Sequence, residues 1–124
     1  MKIAEVSEKY KITVDTLRYY ERIGLIPPVT RTESGIRDYG ETDINRVEFI
    51  KCMRNAGLPI EALIDYMTLL QQGEQTSEAR KEILIEQRAI LATRLAEMQK
   101  TLELLDYKIS VYEQKIKPKE KGLN

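Results

Sequence analysis

Apolar side chains recur at helical spacing at the start of the chain. Ile3, Val6 and Tyr10 lie three and four residues apart, which predicts a short helix over residues 3–10 with one apolar stripe. A brief turn follows, and a second helical pattern begins directly after it. Two short helices joined by a tight turn are typical of the helix-turn-helix arrangement, although this pattern alone is common.

The second helix is marked at both ends. Thr13 can cap its N-terminus, and Asp15 suits the positive end of the helix dipole. Gly24 is placed to end the helix in a left-handed conformation. Leu17 and Ile23 can point inward, which leaves a basic and aromatic face. That face comprises Arg18, Tyr19, Tyr20 and Arg22. Such a helix can enter a major groove; an amphipathic helix with half-buried tyrosines is the alternative.

A proline pair and a turn signal follow this helix. The prolines at 27–28 stop any helix, and Ser34-Gly35 separates two short extended segments, 29–32 and 36–39. We predict a small two-stranded wing here. Three side chains suited to phosphate contacts lie on or beside it: Arg31, Arg37 and Tyr39. The alternative is a solvated hairpin whose Tyr39 packs on the preceding helices.

Two further amphipathic helices are predicted after the wing. The third begins at Thr42-Asp43 and runs to about Ala56, with Gly57 as its stop. The fourth begins near Pro59, a residue suited to the first helical position, and ends before Gly73.

The longest pattern begins at Thr76 or Ser77 and runs to about Lys117. Its apolar residues alternate spacings of four and three, which forms a heptad seam for a coiled coil. The seam residues are Leu91, Leu95, Met98, Leu102, Leu105, Ile109, Tyr112 and Ile116. A small four-helix domain cannot bury this whole stripe, so the economical partner is a second copy of the chain. A helix folded back on its own domain is the alternative.

These patterns predict a mainly α fold in three parts. Residues 1–74 form a winged helix-turn-helix DNA-binding domain with a helix pair, and residues 75–117 form a dimerisation helix. The lysine-rich residues 118–124 are expected to be disordered.

Charge and composition narrow the function. The chain has 20 basic and 20 acidic residues, so a DNA-binding face requires local segregation of charge. It has one cysteine, which favours a reducing, cytoplasmic setting. It has neither an apolar run of membrane-spanning length nor a secretory layout at its start, so no membrane partner is expected. With no histidine, no glycine-rich phosphate loop and no convincing carboxylate pair, an enzyme is not expected.

The order of elements and several sequence strings resemble one known family. The strings are Ile3-Ala-Glu-Val-Ser7, Thr16-Leu-Arg-Tyr-Tyr-Glu-Arg-Ile-Gly-Leu25, Arg37-Asp-Tyr39 and Asp43-Ile44. Over residues 1–116 the chain resembles the MerR family of bacterial transcription regulators. The resemblance implies a homodimer joined by an antiparallel coiled coil and bound to a palindromic promoter element. It also implies that the dimer bends and untwists an over-long promoter spacer, so that RNA polymerase finds its two hexamers aligned.

The resemblance also implies roles for single residues. Val14 and Thr16 are expected near base edges. Arg18, Tyr19 and Tyr20 are expected on bases and backbone phosphates. The wing residues Arg31, Arg37 and Tyr39 are expected on phosphates. Arg18 is the strongest single candidate, because lysine cannot reproduce a paired guanidinium contact.

The signal that the chain detects is the open question. Metal sensors of the family carry at least two cysteines near the ends of the dimerisation helix, and this region holds none, so neither a metal nor another cofactor is expected. The single cysteine, Cys52, resembles the proposed sensor of members that respond to reactive aldehydes and other electrophiles. Two alternatives remain: a buried structural cysteine in a regulator that senses a non-covalent ligand, and a coiled-coil dimeric adaptor.

Overall fold

The computed structural model describes all 124 residues, and the predicted mainly helical fold is confirmed. The helices are α1 Ile3–Tyr10, α2 Val14–Arg22, α3 Glu41–Asn55, α4 Ile60–Gln72, α5 Ser77–Ser110 and α6 Lys117–Glu120. A 3-10 turn, Glu74–Thr76, precedes α5, a π-helical turn, Tyr112–Ile116, precedes α6, and a second 3-10 turn, Lys121–Leu123, follows α6. The chain divides into two compact units, Met1–Ile85 and Glu86–Asn124.

The first two helices form the predicted helix-turn-helix. The turn between them places Lys11 in the left-handed region, with φ of 56°, and this residue caps the C-terminus of α1. Thr13 caps α2, because its Oγ1 accepts a hydrogen bond from the Thr16 N–H at 3.1 Å. Gly24 has φ of 83°, which confirms the predicted left-handed stop after α2.

The wing is smaller than the predicted pair of strands. One antiparallel bridge joins Arg31 and Arg37, and no regular strand forms. The Thr32 N–H donates to the Ile36 carbonyl at 2.8 Å across a turn in which Gly35 has φ of 84°. Pro27 and Pro28 precede the first segment and cannot donate to a ladder, and the N–H of Val29, the next residue, donates to Glu21 Oε2 and not across the hairpin. The prediction of two strands was therefore wrong, and the element is a minimal hairpin.

A single hydrophobic core lies within Met1–Ile85. In it α1 packs against α2 and α3, and α3 packs against α4. The buried apolar residues are Val6, Leu17, Tyr20, Leu25, Ile26, Val29, Tyr39, Val47, Ile50, Leu63 and Met67. The buried carboxylate of Asp43 accepts a hydrogen bond from the Gly40 N–H at 3.0 Å, and α3 begins at Glu41, one residue before the predicted Thr42-Asp43 start.

In the unit Glu86–Asn124, α5 ends at Ser110 and not near Lys117 as predicted. Pro118 bears on the backbone that follows α5, since in a continuous α-helix its ring would clash with the Gln114 carbonyl and it has no N–H to donate. The backbone accommodates the proline by widening into the π-helical turn. Tyr112 and Ile116, the last two predicted seam residues, consequently lie beyond α5.

The lysine-rich end of the chain also differs from expectation. Residues 117–123 form helical turns, whereas residues 118–124 were expected to be disordered. Two side-chain contacts bridge these turns: the Tyr112 hydroxyl donates to the Glu120 carboxylate, and Lys117 lies 3.5 Å from Glu113.

Candidate nucleic-acid interface

The first turn of α2 is held by two threonines. The Thr13 hydroxyl donates to the Thr16 Oγ1 at 2.7 Å, in addition to its bond with the Thr16 N–H. The hydroxyl hydrogen of Thr16 therefore remains free to donate elsewhere. Val14 and Thr16 are both partly exposed, as a pair of base-edge residues requires.

The outward face of α2 carries the basic residues that were predicted there. The side chain of Arg18 is 53 % exposed, and Arg22 is exposed and lies over the Tyr19 ring with 5.3 Å between guanidinium carbon and centroid. Tyr19 is itself exposed. This face presents two guanidinium groups and a phenol hydroxyl, which are donors for phosphate oxygens and base acceptors.

Tyr20 does not share that face. It is 8 % exposed and packs in the core three residues after Leu17, because positions three apart lie on one side of a helix. The expectation that Tyr20 contacts bases or phosphates is corrected: its ring supports α2 from beneath.

Tyr39 is a second correction. The residue is 1 % exposed, and its hydroxyl is buried without a hydrogen-bond partner. Burial, assisted by the Glu21 carboxylate, raises the pKa of Tyr39. The structure does not place this phenol where a phosphate can reach it, and the alternative in which Tyr39 packs on the preceding helices is the one observed.

Glu21 joins the wing to α2, a role that the sequence patterns did not predict. Its Oε1 accepts a hydrogen bond from Arg37 Nε at 2.7 Å, and its Oε2 accepts one from the Val29 N–H at 3.3 Å. Both sides of the hairpin are thus attached to one carboxylate. The sequence feature that indicates this contact is a glutamate on an otherwise basic helix face, sixteen residues before an arginine of the wing.

The two wing arginines differ in their surroundings. The Arg37 side chain is 22 % exposed and is oriented by Glu21, which leaves the other guanidinium donors of Arg37 available. Arg31 is exposed, and one of its nitrogens donates to the Gly35 carbonyl at 2.8 Å. The structure therefore brings together α2 and the wing, with Arg18, Arg31 and Arg37 on the elements that Glu21 connects.

Cys52 is an exposed, unpaired thiol on α3. The side chain is therefore not buried within this chain, and the alternative of a regulator that senses a non-covalent ligand stays a prediction. Arg54, which is close in sequence, is engaged elsewhere, because its guanidinium donates to the Leu58 carbonyl at 2.8 Å.

A stack of side chains leads from α3 to the start of α5. Phe49, three residues before Cys52, stacks on Tyr66 of α4 with 5.3 Å between ring centroids. The guanidinium carbon of Arg80 lies 6.0 Å from the Tyr66 centroid, and Arg80 Nε donates to Thr76 Oγ1 at 3.0 Å. These contacts all lie within Met1–Ile85.

The predicted seam is exposed along α5. Leu91, Leu95, Met98, Leu102, Leu105 and Ile109 are each 51–73 % exposed. Beyond α5, Tyr112 is 41 % exposed and Ile116 is partly buried. No cluster of three or more metal-ligating side chains occurs in the structure, and none of its helices is long and apolar enough to cross a membrane.

Comparison with known proteins identifies relatives of this arrangement. Residues 1–70 match the family model described as MerR HTH family regulatory protein, and residues 44–107 match the model described as MerR, DNA binding. The HTH-type transcriptional regulator AdhR of Bacillus subtilis is 64 % identical over 88 residues, which is 71 % of this chain. The match spans 63 % of AdhR, less than two thirds of its length.

Two solved structures resemble the fold over nearly the whole chain. One is a MerR family transcriptional regulator from Listeria monocytogenes, with a TM-score of 0.81 and 50 % identity, covering 99 % of this chain and 93 % of that one. The other is HiNmlR, a MerR family regulator lacking the sensor domain and bound to promoter DNA. It has a TM-score of 0.74 and 29 % identity, covering 91 % of this chain and 90 % of that one.

Proposed function

Because the chain belongs to the MerR family of helix-turn-helix regulatory proteins, we propose that it is a transcription regulator that binds promoter DNA as a homodimer. The observation that carries the proposal is the attachment of the wing to α2 through Glu21, which leaves Arg18 and Arg31 exposed on the two joined elements. A helix and an adjoining hairpin of this kind suit a major groove and the phosphates beside it.

The residues of the interface differ in the part of the DNA that they contact. Val14 and Thr16 lie near base edges, and Arg18 and Tyr19 contact bases and phosphates. Arg31 and Arg37 contact phosphates from the wing. Tyr20 and Tyr39 take no part in contacts with DNA; they are buried and position the two elements from below.

Residues 75–117 mediate dimerisation, and residues 1–74 bind DNA. The exposed seam on α5 supports pairing with the same seam of a second copy in an antiparallel coiled coil. The dimer binds a palindromic element and distorts the promoter so that RNA polymerase engages it. Distorting a site of 20–30 base pairs costs roughly 1–6 kcal/mol, which protein–DNA contacts offset. The protein works on DNA in the bacterial cytoplasm and needs no catalytic chemistry.

Substitution of the exposed arginine of α2 tests DNA binding. DNA fragments selected by the full chain from a random duplex library are used to measure affinity at several salt concentrations. We expect Arg18→Ala to weaken binding by roughly 5- to 150-fold, as expected for loss of a paired base contact. Lys100→Ala, on α5, is the control and should bind as the unchanged chain does. A wild-type chain that selects no sequence, or an Arg18→Ala chain of unchanged affinity, would contradict the proposal.

We further propose that Cys52 detects reactive aldehydes. The exposed thiol and the resemblance to the single-cysteine members of the family support this role. The thiolate sulfur adds to the carbonyl carbon, the C=O π pair moves to oxygen, and that oxygen takes a proton to give a hemithioacetal. The stack of Phe49, Tyr66 and Arg80 then provides a path by which a change on α3 reaches the start of α5.

Transcription from a selected promoter, measured with purified polymerase, tests the sensor. Formaldehyde or methylglyoxal is expected to activate the wild-type chain, and Cys52→Ser should remove this response while leaving DNA affinity unchanged. Ser110→Ala, a matched small change on α5, should respond as wild type. If Cys52→Ser still responds fully to aldehyde, the covalent role is wrong and the regulator detects a ligand without covalent bonding.

A further inference from the structure

Four acidic residues lie in the first turns of the first three helices, Glu5, Asp15, Glu41 and Asp43, and Asp15 is the one on α2, three residues before Arg18. Glu5 of α1 accepts a hydrogen bond from the Lys2 N–H, and Asp43 of α3 accepts one from the Gly40 N–H, each at 3.0 Å. Both therefore cap their helices. In α2 the threonine pair performs the capping, and no hydrogen bond of the chain ends on Asp15.

The Asp15 carboxylate is almost fully free. Its side chain is 96 % exposed, and its nearest cation is the Arg18 guanidinium at 3.9 Å, which is too long for a hydrogen bond. An exposed pair at this distance contributes little to folding. By contrast, Glu21, the other acid of α2, is committed to the wing through both of its oxygens.

A free carboxylate on this face has a specific consequence for DNA binding. Phosphates repel it, so it opposes binding unless a donor from a base edge satisfies it. In the major groove, guanine presents only acceptors and thymine presents an acceptor and a methyl group. Adenine offers its N6 amine beside the N7 acceptor, whereas cytosine offers its N4 amine alone. Cytosine is therefore the base edge that best complements a carboxylate.

We propose that Asp15 determines operator specificity by accepting a hydrogen bond from the N4 amine of one cytosine in each half-site. This inference rests on the proposed DNA-binding function. Arg18 lies one helical turn further along the same face, where it is placed to donate to a guanine of that base pair or of its neighbour. A two-fold dimer repeats the reading symmetrically in the two half-sites.

Sequence selection with matched variants tests the proposal. The full chain, Asp15→Ala, Asp15→Asn and the control Asp65→Ala each select duplexes from one random library, which are then sequenced. We expect one symmetric cytosine in the wild-type and Asp65→Ala profiles, with discrimination against other bases of at least about 5-fold. Asp15→Ala should lose the preference at that position alone. Asp15→Asn should shift it toward adenine, whose N6 and N7 complement a carboxamide.

The opposing outcomes are distinct. A wild-type profile without a symmetric cytosine would overturn the inference, as would an Asp15→Ala profile identical to wild type. In the second case, a uniform gain in affinity for all sequences would mean that the carboxylate only repels phosphate. A wild-type chain that selects no DNA would refute the proposed function itself. Circular dichroism of the Asp15 variants, compared with wild type, establishes that the chain keeps its helical fold.

Discussion

The two units of the molecule treat their large apolar side chains in opposite ways. Within Met1–Ile85, eleven apolar residues are buried in one core. Within Glu86–Asn124 no side chain is buried, and the seam on α5 is more than half exposed. Both regions have apolar residues at helical spacing. The difference shows that helical spacing predicts an apolar face but not its burial. Burial needs a second apolar surface, and only the first unit provides one from its own residues.

The largest expected effect comes from a charge placed in the seam. If a second copy covers the seam, Leu102→Glu removes one buried leucine from each protomer, worth about 1.5–3 kcal/mol apiece. The dissociation constant of the dimer should rise by at least about 100-fold, measured by sedimentation equilibrium.

Lys100→Glu introduces the same residue on α5 at a position outside the seam. It is expected to change the dissociation constant little. Equal dimer affinity for Leu102→Glu and wild type would mean that the exposed row on α5 is not the interface between copies.

A smaller effect is expected from the core of the first unit. Leu17 is fully buried, so Leu17→Ala should lower the free energy of unfolding by about 2–5 kcal/mol through lost transfer energy and the cavity left behind. Urea unfolding, followed by circular dichroism in the monomeric Leu102→Glu background, measures this loss.

The matched change is Leu95→Ala in the same background. Leu95 is 66 % exposed, so without a partner helix its truncation should alter the unfolding free energy by less than about 0.5 kcal/mol. A large loss at Leu95 in the monomer would show that the seam is covered by the chain's own residues, and the contrast between the two units would disappear.

Much of the candidate site followed from local patterns. Thr13 as the cap, Gly24 as the stop and the exposure of Arg18 could be predicted because each depends on residues within one or two helical turns. Tyr20 and Tyr39 could not be placed in the same way. Tyrosine suits both a core and an interface, and only the packing of neighbouring elements determines which side of the helix or hairpin faces inward.

Cys52 and Glu21 illustrate the same limit. The pattern of α3 does not say whether Cys52 faces the core, because its exposure depends on where α4 packs. Glu21 becomes a link to the wing only when the hairpin folds back over α2, since its partner Arg37 is sixteen residues away.

By itself, the sequence determined the helix order, the capping of α2 and the heptad seam, because hydrogen bonds and apolar periodicity within a helix are local. The tertiary structure decided that Tyr20 and Tyr39 are buried and that Glu21 holds the wing. It also decided that Cys52 is exposed. These outcomes depend on contacts between residues distant in sequence, where the same side chain is stable in more than one environment.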